Sequence, residues 1–550
     1  MASFYTGTTH LALHPGRVAI CLSLLLLVWT KAIVAQQDVP AGFVRSVSDQ
    51  QDQQSDKVAR LLELHTRIAW LTLSRGDLER AESMFRDILR RDPDRPDEIA
   101  GLSAALARQQ NINEAIEVLR DGVRRFPQDA TLASALGQAH LNASNNQAAT
   151  DSLERAYQLD PGAPDIPYFL GSAYLNSEYP MSALDMMYGA PTSRREMEWA
   201  QDLAIGTAFA QLGLESQASG YFTSVYNAAA DTPMATNAMQ LRQDMDDAMY
   251  GRPYLTGSLK VTERYDTNPG VIPAANSGGG ALAGIPSWGN MYLGRFNYDL
   301  IREYNHDVAV GYNFLHTSNY RAHGFDLVDN GVYLATMRRG YWNWMPVHLG
   351  MRMDYDHMFV GSDDFLQRMV ATPSLTFVQS DWHSTTLLFR YTLFDFIGQG
   401  PLDNSPFDLD SDDLMIGIVR QRQLLSRKLI VSAGYEYDRN FSDGSNYEYN
   451  GHKLQLGMSW RTGFNGLRLN ASGELDWRGY LNPHSIIGVN RGDEEYLVQV
   501  GLLYPLRDRW WASLEWNFDR NDSNISMNDY RRHSLDFGVE YRFPTGRYDE

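Results

Sequence analysis

The sequence predicts an α + β multidomain chain: an N-terminal α-solenoid followed by an antiparallel transmembrane β-barrel of about 14 strands. Three observations predict it. Apolar and small residues recur every 34 positions between Leu61 and Ala229, the period changes from helical to alternating after Gly251, and beyond residue 40 the chain has no long apolar run.

The last observation excludes a helical membrane bundle, because each span needs about 20 consecutive apolar residues. Hydrophobic residues make up 43% of the 550 and aromatics 12%, yet mean hydropathy is −0.38, so the apolar content is interleaved with polar residues. A formal charge of −19 opposes nucleic acid as a partner, since phosphates would be repelled. The one apolar run, Val18 to Trp29, follows Arg17 and precedes Thr30-Lys31-Ala32-Ile33-Val34-Ala35, which predicts a signal peptide over residues 1–35 cut after Ala35. A retained signal anchor is the alternative. The sole cysteine, Cys21, lies inside that run, so cleavage leaves a chain without thiols, disulfides or iron–sulfur clusters. No cofactor and no metal is expected. Residues 36–56 are polar and too poor in apolar groups to fold alone, which predicts a flexible lead.

A repeat domain is expected over residues 57–250. Pro93, Pro127 and Pro161 stand 34 residues apart, as do Ala81, Ala115, Ala149 and Ala183. Twelve positions before each alanine stands a small residue (Ala69, Ser103, Gly137, Gly171), and four after it a bulky one (Phe85, Leu119, Leu153, Met187). The small residues let the two helices of a repeat approach, and the bulky ones fill the gap to the next repeat. A fifth copy, Gly206, Ala218 and Phe222, runs one residue late. The pattern resembles the tetratricopeptide repeat family. That resemblance implies a superhelix whose concave face, lined by the first helix of each repeat, holds an extended partner. Counted from the small residue, the face presents Arg108, Asn142, Tyr168 and Asn176 as candidate cargo-binding residues.

From 251 to 550 a barrel is expected. Leu467, Leu469, Ala471, Gly473, Leu475 and Trp477 alternate with Arg468, Asn470, Ser472, Glu474, Asp476 and Arg478, and Trp510 to Asp519 does the same. A soluble sandwich alternates too. These strands, however, run to about 11–16 residues against the usual 5 or 6, and nine of the 12 tryptophans fall after position 251, as interfacial girdles require. Long and tight connections also alternate: Asp266 to Asn290 is long, Tyr304-Asn305 tight, Gly398 to Asp410 long, Leu425-Ser426 tight. The face opposite the apolar one assigns Lys260, Arg264, Arg420, Arg422, Lys453, Arg461, Arg468, Glu474 and Asp476 to the lumen. The segment Asp536-Phe537-Gly538-Val539-Glu540-Tyr541-Arg542-Phe543 resembles the C-terminal sorting signal of outer-membrane barrels. Gly538, Tyr541 and Phe543 are its marks, with Pro544 to Glu550 trailing where the pattern usually stops. Gly538 is expected to face water and tolerate a side chain, Tyr541 and Phe543 to face lipid.

Catalysis is not expected. His383-Ser384, His484-Ser485 and His533-Ser534 are adjacent pairs whose members point to opposite faces of a strand, so none forms a dyad by itself. Asp403, Asp408, Asp410, Asp412 and Asp413 match no calcium loop and read as a solvated acidic loop.

Repeats before a barrel of this size, with Tyr265-Asp266-Thr267-Asn268 closing its first strand, resemble the surface lipoprotein assembly modifiers and, second, the exopolysaccharide export porins. Strand count favours the former. The resemblance implies a bacterial outer-membrane location with the repeats in the periplasm. Its partners would be outer-membrane lipid and lipopolysaccharide, the barrel assembly machinery, and an exported lipoprotein or polysaccharide. A passive porin and a barrel enzyme are the other readings.

Overall fold

The computed structural model describes residues 50–271, 286–342 and 345–543. The expected signal peptide, most of the polar lead and the seven residues after Phe543 lie outside them. The chain divides after Asp247 into two compact units.

The first unit is helical. Five antiparallel pairs follow one another: α1 (Gln50–Ser74) with α2 (Leu78–Arg91), α3 (Pro96–Arg108) with α4 (Ile112–Arg125), α5 (Ala130–Asn142) with α6 (Asn146–Leu159), α7 (Ile166–Asn176) with α8 (Pro180–Met187), and α9 (Arg195–Gln211) with α10 (Glu215–Ala228). An eleventh helix, α11 (Pro233–Tyr250), follows the last pair. The sequence period does not announce it, because its buried residues, Ala235, Ala238 and Met245, lie off the 34-residue phase. The expected lead also ends early, at Gln50, where α1 starts.

The marks of the repeat do what their sizes dictate. A methyl group built on Gly137 would lie 2.4 Å from the Leu153 side chain, one on Gly171 2.5 Å from Met187, and one on Gly206 2.7 Å from Phe222. Each bulky residue therefore sits on the bare backbone of the first helix in its own repeat. Phe85 reaches onward, to Gly101 of the next repeat, at 2.5 Å. The alanines Ala81, Ala115, Ala149, Ala183 and Ala218 are all fully buried at the helix crossings. Leu153 and Phe222 are among the largest fully buried side chains; each contributes about 1.5–3 kcal/mol of burial.

The second unit is a closed barrel of 14 strands in chain order, every neighbour antiparallel and β1 (Leu255–Asp266) paired to β14 (Tyr530–Phe543). Between them run β2 (Ser287–Glu303), β3 (His306–Asn319), β4 (Leu327–Trp342), β5 (Met345–Val360), β6 (Asp363–Ser380), β7 (His383–Phe396), β8 (Ser411–Leu424), β9 (Leu429–Ser442), β10 (Tyr449–Arg461), β11 (Arg468–Pro483), β12 (Asn490–Arg507) and β13 (Trp510–Ser523). Closure satisfies every ladder and leaves no edge.

One connection departs from the expected alternation. β5 and β6 extend to Val360 and Asp363, so the turn between them, on the long-loop side, is only Gly361-Ser362, with Gly361 at φ +66°. His357 and Asp364 bond across it at 3.0 Å, which keeps the two strands paired where the sequence looked like loop.

The outer wall is apolar. Leu259, Val261, Val332, Leu334, Leu387, Ile416, Ile418, Leu454, Leu456 and Val539 all point outward. Aromatics close this wall at both ends: Trp342, Trp460, Trp510 and Tyr504 beside the tight turns, Trp288, Tyr292 and Phe441 beside the long loops. No helix among the described residues is long and apolar enough to cross a membrane.

Candidate functional site

Two surfaces could meet a partner: the first helices of the repeats and the barrel lumen. On the first helices the expected row breaks at one point. Tyr168 is 3% exposed and packs edge-on to Phe169 at 5.1 Å, so it belongs to the repeat core rather than to an open face. On the first helices Ala100, Ala104, Ala107, Leu141, Ser172 and Leu175 are buried as well.

The polar helix ends remain. Arg108, Asn142 and Asn176 each close a first helix, 34 residues apart, and each is half-buried. Arg108 Nη1 donates to the Leu73 carbonyl at 2.7 Å, and burial lowers its pKa, so it also ties two repeats together. The backbone carbonyl of Asn176 accepts from Asn146 at 2.8 Å. Gln211 closes α9, and its buried Oε1 has no hydrogen-bond partner among the described residues. Reading the late fifth repeat through to the end of its first helix would have found it.

In the lumen, seven of the nine expected residues lie on the inward phase. Lys260 pairs with Glu515, and Arg264 grips Asp536 with two parallel bonds of 2.6 and 2.7 Å. Asp536 is 1% exposed, so the guanidinium replaces its lost water. Lys453 lies 3.8 Å from both Glu474 and Asp476. Arg468 stacks over Trp511 at 4.8 Å, opposite Arg542 at 4.7 Å. Arg461 is inward by register, facing Arg468 at the exposed strand end.

Arg420 and Arg422 are corrected. They share the phase of Ile416 and Ile418, which are 58% and 45% exposed on the outer wall, while Asp413, Met415 and Val419 point inward. Charge alone had placed the two arginines in the lumen; the apolar residues two and four positions earlier overrule it, because a strand face does not change along its length without a bulge.

Residues that charge alternation underused complete the lumen. Arg478 joins Asp476 and Glu495, each at 2.7 Å, Tyr530 donates to Glu495 at 2.8 Å, and Arg532 grips Asp266 at 2.6 and 2.9 Å. On the other side Arg368 holds Asp356, and Arg352 holds Asp354 while stacking on Tyr333 at 3.8 Å. Cations and carboxylates thus alternate around the wall, a lining suited to water and polar solutes. On the outer wall, an apolar groove of about 840 Å³ involves Phe296, Tyr312, Val332, Leu334, Met353 and Met369.

The remaining candidates are separated. Ser485 and Ser534 accept from Asn446 and Asn517, at 2.9 and 3.0 Å. His383 Nδ1 meets Ser380, at 3.1 Å, rather than Ser384. Asp408 and Asp410 of the long loop before β8 and Asp443 of the loop after β9 bring carboxylate oxygens within 4.8 Å of one another. Backbone N–H groups of Asn404 and Asp410 lower the Asp408 pKa, and burial raises that of Asp410. Asp408 thereby organises the loop. Tyr541 and Phe543 stack against each other at 6.0 Å on the outer phase, Tyr541 also meeting Trp510 at 4.9 Å.

The tetratricopeptide repeat family matches residues 72–139. No curated protein matches the chain. Among solved structures, MamA from Desulfovibrio magneticus RS-1 is 21% identical, over 31% of this chain and 97% of its own, with a TM-score of 0.28. A thermophilic tetratricopeptide repeat protein of Thermus thermophilus is 15% identical over 32% and 97%, with a TM-score of 0.27. The Cut9–Hcn1 hetero-tetramer of the APC/C is 15% identical over 44% and 43%, at 0.32.

Proposed function

We propose that this chain is an outer-membrane translocation or assembly factor of a bacterium, whose periplasmic repeats capture a cargo that the barrel exports or displays. One observation carries the reading: stacked tetratricopeptide repeats and a closed 14-strand barrel with an apolar wall and an ion-paired lumen occur in one chain. Repeats of this kind bind extended partners, and a barrel of this strand number approaches the porins that hold an aqueous path. The favoured cargo is a surface lipoprotein, the second an exopolysaccharide, and catalysis is not part of the proposal. Lipid and lipopolysaccharide surround the barrel, and the barrel assembly machinery inserts it, guided by Gly538, Tyr541 and Phe543.

In this reading the half-buried helix ends form the capture surface. A photo-crosslinking residue placed at Asn142 or Gln211 of the full chain should trap a cargo in cells, and deleting the gene should remove a lipoprotein or a polysaccharide from the surface. A passive pore is the competing account. It gains if the crosslinkers trap nothing, the deletion leaves the surface unchanged, and the purified protein conducts ions as an open channel.

A further inference from the structure

We propose that Arg420 and Arg422 on the outer wall form a binding site for the phosphate of an anionic phospholipid in the leaflet nearest the tight turns; this rests on the reading that the barrel spans a membrane. The argument begins with what these cations lack. Several inward arginines have carboxylates: Arg264 has Asp536, Arg368 has Asp356, Arg478 has Asp476 and Glu495, Arg532 has Asp266. Arg420 and Arg422 are exposed, and neither makes a hydrogen bond or ion pair among the described residues. Their cross-strand neighbours on the outer wall are Ala433 and Thr385, and Val431 and His383, none of them an acid.

Position supplies the second step. Ile416 and Ile418 precede them on the same face, so the strand passes from an apolar wall to two cations as it nears the turn. Trp460 and Trp510 lie in the same layer near the tight-turn ends of β10 and β13. Aromatics of this kind mark the headgroup level of a bilayer. There an arginine on the lipid face costs about 0–1 kcal/mol, against about 2–4 at midplane, so a phosphate partner readily compensates.

Geometry selects the ligand. Side chains two apart on a strand are separated by about 7 Å, which lets two planar guanidinium groups flank one phosphate. The outward acids Glu263, Asp412 and Glu494 stand toward the long loops, away from Arg420 and Arg422.

The test uses the full chain, equilibrated in vesicles of equimolar phosphatidylethanolamine and phosphatidylglycerol and then excised in polymer nanodiscs for lipid analysis. The wild-type protein should retain phosphatidylglycerol in excess over the vesicle ratio, with the excess shrinking in high salt. Arg420→Gln with Arg422→Gln should lower it about five-fold for each charge removed, with unchanged heat-modifiable gel mobility. Arg420→Lys with Arg422→Lys should keep part of the excess, since charge remains but the fork is lost. Equal retention by wild type and the glutamine pair would overturn the proposal. So would preferential retention of lipopolysaccharide when it is offered in the same vesicles, because that lipid belongs to the opposite leaflet. Failure of the wild-type protein to enter any vesicle would instead overturn the membrane reading itself.

Discussion

Gly538 sits where β14 meets both β13 and β1, facing the lumen as its phase requires, yet it has no room for a side chain. A Cβ there would lie 2.7 Å from Ser513 Oγ, 2.9 Å from Thr262 Oγ1 and 3.0 Å from the Lys260 stem. The sequence expectation that a side chain is tolerated at this position therefore reverses. Gly538→Ala should destabilise the seam by about 1–3 kcal/mol through overpacking, lowering the temperature at which the folded band disappears on gels. Ser513→Ala in the same chain should restore most of the loss; no rescue would mean the strain lies elsewhere. A second single residue sets a pH response in the repeats. Burial, and then repulsion from Arg120, lowers the pKa of His140, whose Nδ1 is buried without a partner among the described residues. Folding favours the neutral ring, so the unfolded chain binds more protons. Stability is whole above the unfolded value of about 6.5 and falls as pH drops from there toward the lower folded value. His140→Gln should flatten that fall in the melting of the helical signal at 222 nm. An unchanged pH slope in the variant would show that other groups govern it.

At the scale of elements, two buried ion pairs cross the seam between β1 and β14, Arg264 with Asp536 and Arg532 with Asp266. Arg264 lies on β1 and Asp536 on β14, joined at 2.6 and 2.7 Å. Truncating one member strands the other without water, which costs about 3–5 kcal/mol. Arg264→Ala should open the barrel at lower temperature, and Arg264→Ala with Asp536→Asn should recover part of it. If the single and double variants melted alike, the pair would not hold the seam. Arg264 was legible as a lumen residue because it alternates with Tyr265 and Glu263; its partner was not, since register across 272 positions is set by barrel closure and leaves no local trace. The same physics separates what else could be read. Helix pairs followed from the 34-residue phase because each repeat packs only on its neighbours. Tyr168 misled because a solenoid position counted as open says nothing of how tightly the superhelix closes. Arg420 and Arg422 misled because a cation suits a lumen and a headgroup layer equally, and only the phase of Ile416 and Ile418 distinguishes them.

Across the whole molecule the two units are held by different forces, and heat should separate them. The repeats rest on a chain of small buried contacts such as Leu153 on Gly137, where loss of one repeat weakens only its neighbours. The barrel closes through β1 and β14, so no strand can fray without opening a ladder on each side. In mild detergent the helical signal should therefore vanish first, while the heat-modifiable band still migrates as folded. Leu153→Ala removes a fully buried side chain at the cost of about 2–5 kcal/mol. Because a unit of this size shifts by about 2–4 °C per kcal/mol, the helical transition should fall by roughly 5–15 °C. The gel transition should not move, since the substitution shares no partner with the barrel. Arg264→Ala should do the reverse, moving the gel transition and sparing the helical one. A single transition reported alike by both probes, or either variant shifting both, would show that the division after Asp247 is not a thermodynamic boundary and that the repeats draw their stability from the barrel.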